Sequence, residues 1–549
     1  MFVCAPFHSI ANAPVGMAYL RSFLQRRGID CPLEDLNIRA RQYLIESQDL
    51  DADAAARRRI VDELFALSRR TYMAEALTWS WLSPDGAEGL VNRLRFHPSQ
   101  TLRDFWLGAN IEQILSSPET ERAGALLREW LRRQAERLVS EAHGWIGLST
   151  VVTNLAATLF LAQRIRELDK DILIVLGGPH ITSRTAGPLL QCFPCLDAAI
   201  PAPAFLPLAD ALEAHFAGRS LTGIPGVWSR ESPGGAIHEG GSQRWINLDE
   251  LPPADWTNLP LNLYESGFMM RNDSGDFSPW YPTIPIQTSR GCSFSRCRFC
   301  HNVTDYPKYQ MQSPARVAAE VKRQIETTGS RGFFFTDDEF AGSRKRTIEI
   351  CRSLIELDED IRFFCWLRLD SFDPELLDIM YRAGARQLFI GCEAVENKLL
   401  NQMNKGYDGK VAFQQLVMLD EFWKKHPDFI YTFNLIVDYP GETIESVEET
   451  LKIVAKNPHL FFNRVAACCQ FHLYEGTPEY CSWKGELVGC LDGVLPPGVR
   501  MPSFRYLYPY TSPHREERME IWSGLAEFIR FKGPRAKDDL TTNTIGIYD

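Results

Sequence analysis

Three cysteines, Cys292, Cys297 and Cys300, fall within nine residues, directly behind the β-prone run Ile284-Pro285-Ile286 and a Ser289-Arg290-Gly291 turn. Thiolates packed this tightly on one loop suit an iron–sulfur cluster or a zinc ion. Zinc normally takes four protein ligands, often as two separated pairs. The fourth candidate here is His301, which adjoins Cys300 and is hard to bring onto the same ion. Three cysteines on a four-iron cluster leave one iron open to an outside ligand. A zinc site and plain core packing of the thiols are the alternatives.

At 549 residues the chain is long enough for roughly three domains. Its net charge of −11 argues against broad nucleic-acid binding, since no basic face would offset the phosphates. The start Met1-Phe2-Val3-Cys4-Ala5-Pro6 lacks the basic region and cleavage site of a secretion signal. No uninterrupted apolar run reaches the length of a membrane span. Fourteen irregularly spaced cysteines then point to a reducing cytoplasm rather than a disulfide framework. The expectation is a cytoplasmic protein with neither membrane nor nucleic-acid partners.

Along the first 245 residues, apolar runs alternate with helical stretches. Phe2-Val3-Cys4-Ala5-Pro6 reads as a buried strand, residues 15–27 as a helix closed by Gly28, and residues 29–36 as a second strand. A helical insertion spans about 40–140, with apolar residues at helical spacing such as Ile60, Leu64 and Leu67. Residues 144–150 and 171–176 read as strands around a helix at 155–168, the second strand running into Gly177-Gly178-Pro179-His180. Such alternation, with Gly and Ser/Thr at strand carboxyl ends, indicates a doubly wound parallel sheet with a ligand crevice there. Cys192-Phe193-Pro194-Cys195 has no second pair at zinc-ribbon spacing and reads as core packing. The proline-punctuated stretch within 246–283 reads as an extended linker.

Beyond the cysteine loop the alternation resumes. Strands are expected at 332–336, 363–369, 387–391, 433–437 and 465–473, with helices at 314–328, 345–357, 374–383 and from 444. The count fits a complete or partial βα barrel over 284–480, with its chemistry at the strand carboxyl ends. Cys468-Cys469 on the last strand reads as core packing. A small α-rich region over 481–549, with an amphipathic helix at 516–531, completes an α/β chain.

The cysteine loop resembles that of the radical SAM enzymes, whose cluster binds S-adenosylmethionine (SAM) at its open iron; Phe299 before the last cysteine is typical of them. Their common spacing is C-x3-C-x2-C, whereas this chain has one more residue among Ser293-Phe294-Ser295-Arg296. Thr336, Asp337 and Asp338 match the family's Phe-x-Asp-Asp segment, Gly391 and Glu393 its Gly-x-Glu segment, and Arg368 a barrel arginine. Pro440-Gly441-Glu442-Thr443 matches a recurring strand-end turn. Residues 1–245 resemble the Rossmann-like cobalamin-binding domain that precedes the barrel in one subclass. The resemblance lies in the opening strand ending in proline, Pro14-Val15-Gly16-Met17-Ala18-Tyr19-Leu20, Gly147-Leu148-Ser149-Thr150 with Thr153, and Gly177-Gly178-Pro179-His180. The chain departs from that subclass in carrying Pro201-Ala202-Pro203 where a Gly-Glu-Gly-Glu turn is common, and in lacking an Asp-x-His-x-x-Gly motif.

The resemblance implies a [4Fe-4S] cluster on Cys292, Cys297 and Cys300, with SAM held by Phe299, Thr336, Asp337, Asp338, Arg368, Gly391 and Glu393. It implies cobalamin near Ser149, Thr153, Gly177, Gly178 and His180. The implied activity is methylation of an unactivated carbon through a 5′-deoxyadenosyl radical and methylcobalamin, on a peptide or natural-product scaffold. A flavodoxin- or ferredoxin-type protein would supply electrons. Ring formation or rearrangement, with cobalamin used or lost, is the alternative within the family. A non-catalytic iron–sulfur redox protein is the alternative outside it.

Overall fold

The computed structural model describes residues 1–8, 10–50, 53–66, 118–232, 234–264, 269–271, 277–279, 283–306, 308–461 and 465–484, with short pieces at 78, 81–82, 488–489, 505–507, 517–518 and 520–522. Two parallel sheets organise it. The first has seven strands: β1 (Phe2–Cys4), β2 (Leu33–Asp35), β3 (Trp145–Ser149), β4 (Leu173–Gly177), β5 (Ala198–Ala199), β6 (Trp228–Arg230) and β7 (Ile237–Glu239), in the order β2-β1-β3-β4-β5-β6-β7. The first five pair in parallel and the last two are antiparallel edge strands. The central strands are apolar on both faces because helices such as Val15–Gln25 and Leu155–Leu168 cover them. The order reverses between β1 and β3, and ligands of such sheets bind at that switch point, outside the strand carboxyl ends.

The expected strand at 29–36 shortens to β2. At its start Ile29 N–H is bonded back to the Leu24 carbonyl of the preceding helix, and Pro32 has no N–H to pair. At its end the Asp35 carboxylate accepts from the N–H groups of Asn37 and Ile38 and so caps a helix beginning at Leu36. The expected helical insertion holds helices Leu36–Glu46, Ala54–Ala66 and Pro118–Glu141; residues 67–77 and 83–117 lie outside the described residues.

A two-stranded piece, β8 (Met269–Arg271) with β9 (Phe277–Pro279), precedes the second large sheet. That sheet is wholly parallel, in the order β10 (Thr283–Ile286), β13 (Gly332–Phe335), β14 (Arg362–Arg368), β15 (Ala385–Glu393), β16 (Ile430–Val437) and β17 (Val465–Gln470). It is an open, partial βα barrel. The small pair β11 (Ser289–Arg290) and β12 (Gln310–Met311) brackets the cysteine loop. Most of the long intervening helices start on a side-chain cap: Ser313 for Pro314–Thr328, Asp373 for Pro374–Arg382, Asp408 for Gly409–Lys425 and Thr443 for Ile444–Lys456, whereas Arg344–Glu356 starts without one. Each such cap is worth about 1 kcal/mol. Phe335, Phe340 and Phe363 pack together on the helix side of the sheet, while Phe334 stacks on Phe364 at 4.4 Å and meets Trp366 on the other side.

The strand expected over 465–473 divides. Beyond Val437 the neighbouring strand turns away at Asp438 (φ 61°), so nothing remains for residues past Phe471 to pair with. Residues β18 (His472–Tyr474) instead join β20 (Arg505–Leu507) and β19 (Val488–Gly489) in an antiparallel sheet. Most of the expected helix at 516–531 lies outside the described residues.

The segment expected as an extended linker is bonded to both sheets. The Arg21 guanidinium pairs with Asp255 at 3.1 Å, and Tyr264 donates to Asp35 at 2.5 Å. On the other side Ala254 N–H donates to Glu320 and Arg316 to the Leu251 carbonyl. Among the described residues no helix is long and apolar enough to cross a membrane.

Candidate functional site

A cavity of about 400 Å³ opens between the two sheets. One wall is built from loops at the carboxyl ends of β1, β3, β4 and β5, including Asn12, Gly16, Ser149, Gly177, Gly178 and Ala202; the other is Pro285, Gln287, Arg290, Phe334, Thr336 and Trp366 from the barrel. A Cβ added at Gly16 would meet nothing within 4 Å, and at Gly177 only the Ile200 carbonyl at 3.8 Å, so both face open space. Asn12 Oδ1 and Arg290 Nη1 are buried on these walls without a partner among the described residues.

Ser149, Gly177 and Gly178 therefore line the cavity, whereas Thr153 and His180 stand behind its wall. The Thr153 hydroxyl donates to the Phe7 carbonyl at 2.7 Å, holding the loop after β1. His180 is buried, and its N–H donates to the Thr150 carbonyl at 3.1 Å. Gly178 owes its identity to that same contact. It has φ 103°, and a Cβ there would lie 2.5 Å from the Thr150 backbone.

On the barrel side, Thr336 lines the cavity while its neighbour Asp337 points the other way. The Asp337 carboxylate is fully buried and accepts from the Thr288 hydroxyl at 3.0 Å; burial pushes it up to about 6. Asp338 accepts from the Asn302 amide and the Gly291 N–H, at the edge of the cysteine loop; burial raises it, and it lies within electrostatic reach of Cys300. Glu339 is buried between the N–H groups of Arg368 (2.8 Å) and Ala341 (3.2 Å), and burial pushes it up to about 7.

The cysteine loop is braced from several directions. Its additional residue is absorbed in a turn where Ser295 takes φ 41°. Phe294 lies between two guanidinium groups, Arg368 at 3.8 Å and Arg296 at 4.5 Å from its ring centre, and would touch any side chain placed at Gly406. Asn404 donates to the Arg296 carbonyl, and Arg298 N–H to the Met403 carbonyl. Arg298 also reaches across to Glu479 (2.9 Å) and Ser482 (2.7 Å), and Tyr439 donates to the same Glu479 carboxylate. Burial raises the Cys292 and Cys300 thiols. Among the described residues no three His, Cys, Asp or Glu side chains are arranged to hold a single metal ion.

Arg368, Gly391, Glu393 and Phe299 meet beside Cys297. Arg368 donates from Nη1 to Cys297 Sγ at 3.6 Å and from Nη2 to Asp370 at 3.0 Å. Glu393, with φ 68° at a bulge in β15, faces the buried Lys405 ammonium at 3.4 Å, and Lys405 also donates to the Gly391 carbonyl. Phe299 packs edge-on against Tyr439, with Lys405 5.9 Å from its ring centre. Sequence reasoning missed Lys405, Tyr407 and Phe294 here, and Asn12, His8 and Arg290 in the cavity. The available signal was Lys405-Gly406-Tyr407, a turn between helices in which Gly406 takes φ 83°.

Comparison with known proteins agrees with this architecture. Residues 286–454 match the family model of the radical SAM superfamily. An uncharacterised methyltransferase of Pyrococcus horikoshii is 25% identical over 312 residues, covering 57% of this chain and 64% of that one. The hopanoid C-2 methylase of Rhodopseudomonas palustris is 30% identical over 161 residues, 28% of each chain. The chain thus spans less than two thirds of the length of these relatives. Among solved structures, the cobalamin-dependent SAM radical enzyme OxsB with aqua-cobalamin bound superposes with a TM-score of 0.61 at 14% identity, over 96% of this chain and 65% of that one. The radical SAM methyltransferase TsrM of Kitasatospora setae, with tryptophan substrate and a SAM analogue bound, gives 0.55 at 15% identity, over 87% and 74%. Residues 286–454 are therefore a radical SAM domain, and the chain as a whole shares the two-domain fold of the solved cobalamin-dependent SAM radical enzymes.

Proposed function

We propose that the protein is a cobalamin-dependent radical SAM methyltransferase acting on an unactivated carbon of a peptide or natural-product scaffold. The observation that carries this reading is the cavity between the sheets. Its floor is the switch-point crevice of a doubly wound sheet, and its roof is the barrel. The residues fit a corrinoid: open space at Gly16 and Gly177 admits a flat macrocycle, and the Asn12 and Arg290 side chains offer hydrogen-bonding atoms to its amide rim. Cys292, Cys297 and Cys300 would hold a four-iron cluster, the thiolate set that leaves one iron for SAM. When bound, the cluster and SAM supply hydrogen-atom abstraction, and methylcobalamin supplies the methyl group.

The protein's own part is positioning. Thr336 lines the cavity, its hydroxyl resting on the Ile286 carbonyl at 3.4 Å, and Asp338, Glu393 and Phe299 stand around the cysteine loop, where an ammonium, ribose hydroxyls and an adenine need acceptors and a packing surface. Asp337 supports this strand end from behind through Thr288. Trp366, Phe334 and the neighbouring apolar wall keep water from the space between the two domains.

Anaerobically reconstituted protein, incubated with hydroxocobalamin, is expected to show corrinoid absorbance after desalting and, with SAM and dithionite, to release 5′-deoxyadenosine. Retention of iron without corrinoid binding would remove the methyltransferase reading and leave the radical SAM one. Release of no 5′-deoxyadenosine by iron-loaded protein would favour an electron carrier. A similarity of 27% over 169 residues to the anaerobic magnesium-protoporphyrin IX monomethyl ester cyclase of Cereibacter sphaeroides keeps ring formation as the second reading, distinguished by whether the product gains a methyl group.

A further inference from the structure

We infer that Arg368 and Lys405 are positioning residues for electron uptake: two buried cations set against the Cys297 corner of the cysteine loop, which raise the reduction potential of the cluster held there. This rests on the reading that the three cysteines carry a four-iron cluster.

The geometry is specific. Arg368, 8% exposed, donates from Nη1 to Cys297 Sγ at 3.6 Å. Its other contacts fix the fork in place: Nη2 donates to the Lys405 carbonyl at 2.5 Å and to Asp370 at 3.0 Å, and the Phe294 ring lies 3.8 Å away. Lys405, 3% exposed, is held by the Gly391 carbonyl at 3.1 Å and by Glu393 at 3.4 Å, within electrostatic reach of Cys297. At the other two cysteines carboxylates offset or replace the cations: Cys292 feels Glu339 against Arg368, and Cys300 feels Asp338. The loop is therefore polarised, with its positive side at Cys297.

A four-iron cluster on three thiolates carries a formal charge of about −1 when oxidised and −2 once it has accepted one electron from a low-potential donor such as dithionite. No bond breaks in that step, and the added charge spreads onto the sulfurs. A cation hydrogen-bonded to a ligand sulfur, in a buried site where screening is weak, favours the more negative state. The sulfur contact thus gives Arg368 a role beyond its pairing with Asp370.

The test is a potentiometric titration of the anaerobically reconstituted protein, followed by the electron paramagnetic resonance of the reduced cluster, with iron content and thermal unfolding measured alongside. Arg368→Gln is expected to lower the ratio of reduced to oxidised cluster about tenfold at a fixed potential, a midpoint shift of about 59 mV to more negative values. Arg368→Lys, which keeps the charge, should recover part of that shift, and Lys405→Met should move the midpoint in the same direction by less. A variant that keeps wild-type iron content with an unchanged or raised midpoint overturns the inference. So does an Arg368→Lys midpoint as low as that of Arg368→Gln. Loss of iron from both Arg368→Gln and Lys405→Met also overturns it, because the cations would then hold the loop. Wild-type protein that takes up no iron strikes the cluster reading itself.

Discussion

Glu393 carries two demands at one residue. It stands where a SAM contact is wanted, yet it is also the carboxylate partner of a buried lysine. Removing one partner of a buried pair strands the other charge, at a cost of about 3 kcal/mol or more. Glu393→Gln is therefore expected to lower stability in urea denaturation, and the double variant with Lys405→Met should be less destabilised than the sum of the singles. Additive effects would mean the two charges do not depend on each other. Gly178→Ala should cost on the order of 1–3 kcal/mol, from φ 103° and a Cβ pressed on the Thr150 backbone, whether or not a corrinoid is present. At this scale the cysteines and the acidic strand ends are legible in the sequence, because reactive residue types cluster within a few positions. Lys405 and Phe294 are not, because their types are ordinary and the contacts that matter join separate segments, Lys405 to the end of β15 and Phe294 to Arg368 on β14.

The turn after β16 shows what a single element can hold. Asp438 and Glu442 converge on Arg518, and Trp522 donates to the Glu442 carboxylate at 3.4 Å, clasping the far end of the chain to the barrel. Burial pushes Glu442 up from 4.5 to about 8. The folded state thus binds this proton more tightly than the unfolded chain. Glu442 lowers stability progressively as pH rises from about 4.5 to about 8, and the effect is absent below that window. Urea midpoints should fall from about pH 5 to pH 8, and Glu442→Gln should flatten that slope; a variant with the wild-type slope would assign the dependence to other groups. Parallel strands and their capped helices are readable from apolar runs followed by Ser, Asp or Thr. The division of 465–473 between two sheets is not, because it follows from where the neighbouring strand turns.

Across the whole molecule, the segment around Asp255 and Tyr264 joins the two sheets through side chains on both, and the cavity takes a wall from each. A ligand seated there stabilises both halves together. With cobalamin at about a hundred times its Kd the gain is about 2.7 kcal/mol, visible in calorimetry as a shift of one shared transition. Two transitions, with only one moved, would show that the halves unfold independently. The first sheet's contribution to this cavity can be anticipated from Gly and Ser at strand ends, whereas the barrel's contribution depends on how the sheets meet. Among the described residues, edge strands β10 and β17 are joined to the rest of their sheet on one side only, and the cysteine loop that follows β10 is tied through Arg298 to Glu479, in the chain beyond β18. Salt can screen that ion pair, but the Glu479 N–H to the Arg298 carbonyl and Arg298 to Ser482 are bonds it does not loosen, so this tie of the cysteine loop should outlast high ionic strength.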